Sequence, residues 1–482
     1  MTNPSIQSSD LLEREYWDVQ YISGPLVFLR TGSRFPTGAI LELQTADGVV
    51  RHGQVLEVSQ HHAVVQVLEG TQGLDVKTTT VSLQKEAARL GVSRGILGRR
   101  FNGVGAPIDG MPAPVPDAEV DIMGAAINPV SRDKPSDFIE TGISAIDGMN
   151  TLVRGQKLPI FAGAGLPANE VAALIVQQAG TKNDTEEFVV VFGAMGLTER
   201  EAAFFLKSFD SGGRGNRVVA FINKANDPAI ERLFAPRCAL TAAEYLAFEL
   251  GYHVLVILTD MTNYCDALRQ ISSAREEIPG RRGYPGYMYT DLSTIYERAG
   301  RIRGKKGSVT QVPILTMPDD DMTHPIPDLT GYITEGQIVL SRGLHRQGVF
   351  PPVDILPCLS RLMNNGIGEG RTRADHRQLA NQLYASYAHG RDIRRLMSIV
   401  GEEALGELDR KYLAFARAFE QQMIHQGESR RTIEETLDLG WRLLSLIPKE
   451  ELTRINKDLI DRYYCEIMED GVRSPFLKEQ SL

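Results

Sequence analysis

The chain has 482 residues, 42% apolar and 23% charged, enough to build more than one packed core and too apolar for wholesale disorder. Its 45 Gly and 24 Pro follow no Gly-X-Y period, which excludes a collagen-like fibre. With 52 Lys and Arg against 61 Asp and Glu the formal charge is −9, the wrong sign for a nonspecific nucleic-acid coat.

The N-terminus, MTNPSIQSSDLLERE, has no apolar core of the signal-peptide kind. From about Tyr16 to Gln84 the sequence breaks into short β-rich runs, such as Val55–Val58 and Ala63–Val67. Turn signals at Gly24-Pro25, Pro36-Thr37-Gly38 and Asp47-Gly48 separate them. Short strands with frequent turns and no helical period predict a small barrel or sandwich. A Gly/Pro-rich passage, Gly103–Pro116, then reads as a linker or extended arm.

From Phe138 to Pro357 apolar runs alternate with helical patterns. Phe188–Phe192, Val218–Ile222, Val254–Leu258 and Val312–Leu315 are continuous and apolar, the habit of strands buried on both faces of a parallel sheet. Helices are predicted between them at Thr198–Phe209, Ala239–Leu250 and Asn263–Glu277. This alternation predicts a doubly wound α/β sheet. After about Leu359 strand signals stop. Leu405, Leu408, Tyr412, Phe415 and Phe419 recur at helical spacing, and further helices are expected at Thr432–Leu446 and Glu450–Tyr464, so the tail reads as a helical bundle.

Charge-free stretches such as Leu158–Asn169 and Gly307–Pro318 fall short of the roughly 20 residues of a membrane-spanning helix. Cys238, Cys265, Cys358 and Cys465 share no metal-ligand spacing and are expected to be reduced thiols acting as small hydrophobes.

The segment with the most chemical content is Leu158–Leu174, LPIFAGAGLPANEVAAL: an apolar strand, a Gly-containing turn and a helix. That is the layout of a phosphate loop, GxxxxGK[ST], with Ala162 at the first Gly, Pro167 at the second, Ala168 at the Lys and Asn169 at the Ser/Thr. Gly163 and Gly165 lie within the turn. Ala168 brings no charge to a phosphate, Asn169 is a poor Mg²⁺ ligand, and Pro167 lacks an N–H. The segment is either an ordinary strand–turn–helix or a phosphate loop that has lost its chemistry; both predict weak phosphate binding. Asp260, after Val254–Leu258, is read as a helix cap ahead of a Mg²⁺ ligand. Gly196 falls where ATP-hydrolysing relatives of the fold carry a water-polarising Glu; Glu199 and Glu201 sit beyond the turn.

With these residues in view, the sequence closely resembles the B (beta) subunits of bacterial and archaeal V/A-type ATP synthases, non-catalytic members of the ATPase alpha/beta chain family. The likeness is carried by Glu140–Phe161 (ETGISAIDGMNTLVRGQKLPIF), Leu166–Glu170 (LPANE), Thr259–Arg282, Gly283–Ala299, Met317–Ile338 and Leu356–Gly366 (LPCLSRLMNNG). It implies an N-terminal β-barrel over 1–84, a central α/β nucleotide-binding fold over 85–357 and a C-terminal helical domain over 358–482. It implies a place in a hexameric ring alternating with catalytic A subunits, around rotor-stalk subunits, held by peripheral stalks and joined indirectly to a membrane ion channel. Nucleic acid is not an expected partner. The resemblance implies no cofactor of its own, ATP, ADP and Mg²⁺ being held mainly by A, and a location on the cytoplasmic face of the membrane. Arg361 matches the family's arginine finger, offered in trans, with Ser360 and Asn364 as neighbours. Where the family has serines in the loop and His before Asn, this chain has FAGAGLPANE.

Three further clusters have plainer readings. Asp319-Asp320-Asp321 with His324 reads as a solvated or interface loop rather than a metal site. Tyr284, Tyr287, Tyr289 and Tyr296 read as interface packing rather than base stacking. Glu402, Glu403 and Glu407 lie where related subunits face the rotor, or form a plain exposed helix face. Two rival functions remain, a self-sufficient ATPase and an RNA translocase of the same superfamily; both require the loop Lys that Ala168 replaces.

Overall fold

The computed structural model describes residues 19–30, 37–59, 61–67, 70–85, 88–182, 187–211 and 215–464. Cys465 and the N-terminal 18 residues lie outside them.

The first unit is a six-stranded antiparallel sheet in the order Val19–Ser23, Leu26–Arg30, His62–Val67, Val50–Val58, Ile40–Gln44, Thr80–Lys85. Alternation sets its inner face: Leu41, Leu43, Val65, Val67 and Val81 share one apolar cluster with Val27 and Leu29.

The central sheet runs Leu359–Ser360, Gly336–Val339, Ile160–Gly163, Ser308–Met317, His253–Thr259, Phe188–Leu197, Val218–Lys224, Arg100–Asn102. All neighbours along this path pair in parallel except the first two. Every residue of His253–Thr259 is buried, which is why that strand is a single apolar run. The helices Ala168–Gln178, Glu199–Ser211, Ala229–Glu244 and Met261–Ala274 connect the strands.

Three expectations shift; the helix expected at Glu450–Tyr464 begins only at Lys457 and ends at Tyr463. The helix foreseen at Ala239–Leu250 starts ten residues earlier, at Ala229, and continues through Pro236 before ending in a π-turn at Tyr245–Glu249. A proline ordinarily ends a helix, so Pro236 hid the first two turns. In the C-terminal bundle, made of His376–Val400, Glu407–Ala418, Ile433–Leu444 and Lys457–Tyr463, the apolar stripe is interrupted. The second helix starts only at Glu407; Leu408, in its first turn, is 39% exposed, while Tyr412, Phe415 and Phe419 are buried.

Among the described residues no helix is long and apolar enough to cross a membrane. Cys238, Cys265 and Cys358 are buried free thiols, their pKa values pushed up chiefly by burial, so they pack as hydrophobes.

Candidate functional site

Parallel strands deliver their carboxyl ends to one edge of the sheet, the edge where such folds hold ligands. The turn after Ile160–Gly163 lies there, and two of its backbone donors are turned onto the loop's own carbonyls. Leu166 N–H donates to Gly163 O at 3.1 Å and Ala168 N–H to Leu166 O at 2.8 Å. Pro167 occupies the helix N-cap with no side-chain cap and no N–H of its own.

A carboxylate fills the adjoining space. The Asp320 Oδ1 lies so near Gly163 that a Cβ there would stand 1.9 Å from it. Arg342 fixes Asp320 with bonds of 2.7 and 2.8 Å and donates to Ala164 O at 2.9 Å. The guanidinium holds the Asp320 carboxyl below its ordinary pKa, so an ionised Asp–Arg pair stands beside the turn at neutral pH. With two N–H groups turned inward, a proline at the N-cap and an Asp–Arg pair against its first residues, the turn offers a nucleotide's phosphates fewer donors than an intact phosphate loop does. The sequence reading missed Arg342 and this role of Asp320; they stand 22 and 157 or more residues from each other and from Gly163, and no local spacing links them.

The neighbouring strand ends are equally committed. Asp260 caps Met261–Ala274 by accepting from Thr262 N at 2.7 Å, and it accepts from both the backbone and the hydroxyl of Thr316. Burial raises its pKa. These are the contacts of a helix cap. Asn169 donates to Glu201 at 3.0 Å, and Glu201 forms a capping box with Thr198. Glu199 pairs with Lys224. Gly196 takes φ +69° against Asn263 and carries no acid.

Arg361 lies at the other end of the sheet. Leu359–Ser360 pairs antiparallel with the first residues of Gly336–Val339, Ser360 opposite Gly336. The two backbones touch so closely that a Cβ on Gly336 would meet Leu359 O at 2.0 Å, a separation only glycine allows. Arg361 therefore stands at the amino ends of the parallel strands rather than at their ligand-binding carboxyl ends, contrary to what its place after Pro351, Pro352 and Pro357 suggests. The strand that precedes it runs backwards, so following it leads to the opposite edge.

Arg361 is exposed, and its guanidinium is held at one corner: Nη1 donates to Thr334 O at 3.1 Å and the backbone N–H to Glu335 O at 2.9 Å. Among the described residues no carboxylate is ion-paired with it, so its remaining donors face outward. Ser360 is an anchor: its hydroxyl donates to Thr151 O at 2.9 Å and accepts from the buried Gln156 at 3.0 Å. Asn364 is exposed in the short helix Met363–Gly366. The turn residues Ala162, Gly163, Gly165, Pro167, Ala168 and Asn169 thus gather at one end of the sheet, and Ser360 and Arg361 at the other.

The other clusters have local work. Asp321 pairs with Arg282 and caps Thr323. His324 caps Pro325–Ile333, accepting from Ile326 N. Among the described residues no three His, Cys, Asp or Glu side chains converge as a metal site. Tyr284 and Tyr296 are buried against Asp266 and Thr330, whereas Tyr287 and Tyr289 lie at the surface. Glu402, Glu403 and Glu407 are exposed where the chain passes from His376–Val400 to Glu407–Ala418.

Comparison with known proteins covers the same three units. Residues 19–83 match the β-barrel domain of the ATP synthase alpha/beta family, 142–360 its nucleotide-binding domain, and 365–464 the C-terminal domain of V and A type ATP synthases. The V-type ATP synthase beta chains of two strains of Thermus thermophilus are each 62% identical over 468 residues, spanning 96% of this chain and 98% of theirs. Among solved structures, the ATP synthase subunit NeqB of Nanoarcheaum equitans is 37% identical and covers 87% of this chain and 98% of its own, with a TM-score of 0.69. The type III secretion ATPase EscN of enteropathogenic E. coli is 25% identical over 89% of this chain and 100% of its own, with a TM-score of 0.80.

Proposed function

The chain belongs to the V/A-type beta chains of the ATP synthase alpha/beta family and is a subunit of a multi-subunit ATP synthase; from that premise we propose that it leaves ATP chemistry to a neighbouring subunit and completes that neighbour's pocket with Arg361. One observation carries the reading. The exposed cation and the turn that lacks a phosphate-loop Lys sit at opposite ends of one sheet. An arginine so placed does not reach its own chain's turn, yet it is open to a pocket supplied by another subunit.

The chemistry required of it is simple. As the β–γ bond of ATP breaks, charge spreads over the phosphoryl oxygens, and a planar guanidinium with fixed donors stabilises it. Its anchorage on Thr334 O leaves the far side of the fork free for two parallel bonds to phosphate oxygens, which the compact ammonium of Lys does not reproduce. ATP, ADP and Mg²⁺ then belong mainly to the catalytic A subunit. Rotor-stalk subunits would meet the exposed Glu402, Glu403 and Glu407, and the peripheral stalk and membrane channel complete the assembly on the cytoplasmic face of the membrane.

The test is hydrolysis by the isolated chain. We expect negligible MgATP turnover alone and full turnover on reconstitution with the catalytic subunit. Turnover by the isolated chain would favour the rival reading, a self-sufficient ATPase.

A further inference from the structure

We infer that Glu335, clamped by the buried Lys157, is the positioning residue for Arg361; the inference rests on the arginine-finger reading above. Lys157 and Glu335 hold one another at three points. Glu335 N–H donates to Lys157 O at 3.1 Å, Lys157 N–H donates to Glu335 Oε2 at 2.8 Å, and Lys157 Nζ meets Glu335 Oε1 at 2.9 Å. The Lys157 side chain is only 4% exposed, and its ammonium also takes Glu297 at 2.7 Å, so one buried cation is neutralised by two carboxylates. Glu297 is held in turn by Arg132 at 3.0 Å.

This clamp fixes the carbonyl that Arg361 hangs from. Glu335 O accepts the Arg361 N–H at 2.9 Å, and the preceding carbonyl, Thr334 O, accepts from the Arg361 guanidinium. On the other side, Gln156, the residue before Lys157, donates to the Ser360 hydroxyl. A single dipeptide, Gln156-Lys157, therefore grips both strands whose pairing sets where Arg361 begins and where its side chain points. A catalytic cation gains its effect from being in place before charge develops, and a misplacement of about 1 Å costs up to about a hundredfold. The charged clamp removes the freedom that would blur the guanidinium's position.

The experiment is a double-mutant cycle in the reconstituted complex, with Glu335→Gln and Arg361→Ala alone and together. Glu335→Gln keeps the shape of the side chain but removes its charge. We expect kcat to fall about tenfold or more with KM for ATP within about twofold, and faster hydrogen exchange at the Arg361 amide. In the Arg361→Ala background the same substitution is expected to change kcat by less than about twofold, because there is no longer a side chain to position. Glu335→Asp, which keeps the charge but draws it back from Lys157, is expected to give a smaller loss and serves if Glu335→Gln does not assemble. Equal fractional losses in both backgrounds, or no loss in the wild-type background, would overturn the positioning role while leaving the finger intact. Full turnover by Arg361→Ala alone would instead remove the finger reading itself.

Discussion

Arg342 meets Asp320 through two hydrogen bonds, 2.7 and 2.8 Å long, and holds its carboxylate against the backbone of Gly163 at the carboxyl end of a central strand. The pair occupies the mouth of the turn that a nucleotide would need.

The first prediction follows from that contact. A methyl group at position 163 would stand 1.9 Å from Asp320 Oδ1 and 2.7 Å from Arg342 Nη2. Gly163→Ala is expected to destabilise the chain by about 1–3 kcal/mol, the usual cost of overpacking. Adding Asp320→Ala should recover most of the loss. Chemical denaturation of the single and double variants measures both.

Restoring the missing phosphate-loop residues should not restore binding. Ala168→Lys with Asn169→Thr supplies the charge and hydroxyl, yet Pro167 still lacks its N–H and Asp320, paired with Arg342, still fills the space beside Gly163. The expected result by calorimetry is no MgATP binding tighter than that of the unaltered chain. Further substitution of Asp320 by Ala is expected to raise whatever affinity there is.

The bundle joins the central domain through a histidine that stays neutral. His376 is fully buried, with Nε2 facing Gly148 O at 3.0 Å and Nδ1 facing the Thr372 hydroxyl at 3.0 Å, and burial pushes its pKa down to about 4. Below pH 6.5 the unfolded chain takes up a proton that the folded chain refuses until about pH 4, so stability falls as pH drops through that window. Between pH 7 and pH 5 the loss is about 2 kcal/mol. Asp147 works in the opposite direction: burial raises its pKa to about 7, so its contribution falls as pH rises from the ordinary carboxylate range towards 7. The comparison is therefore between wild type and His376→Gln, and the variant should lose about 2 kcal/mol less between pH 7 and pH 5.

Sequence legibility varied with the physics of each element. Val254–Leu258 was readable because a strand buried on both faces must be apolar throughout. The lost loop Lys was readable because the phosphate-loop residues are contiguous. Asp260 was readable as a cap from its place before a helical pattern. Pairings made by sheet order were not. Asp320 and Arg342 come to Gly163 only because three strands from distant parts of the chain lie side by side. The Leu359–Ser360 strand is two residues long and leaves no apolar run, so neither its reversed direction nor the edge to which it carries Arg361 could be read in advance. No local pattern marks Lys157, Glu297 and Glu335; only the fold shows that the ammonium is buried between two acids.

The most direct measurement of the central claim is steady-state ATP turnover by the reconstituted complex carrying Arg361→Lys. The substitution keeps the charge but loses the planar fork. The account predicts a fall in kcat on the order of 10³-fold or more, with the complex assembled and nucleotide still bound by the catalytic subunit. Wild-type turnover by an assembled Arg361→Lys complex would contradict it.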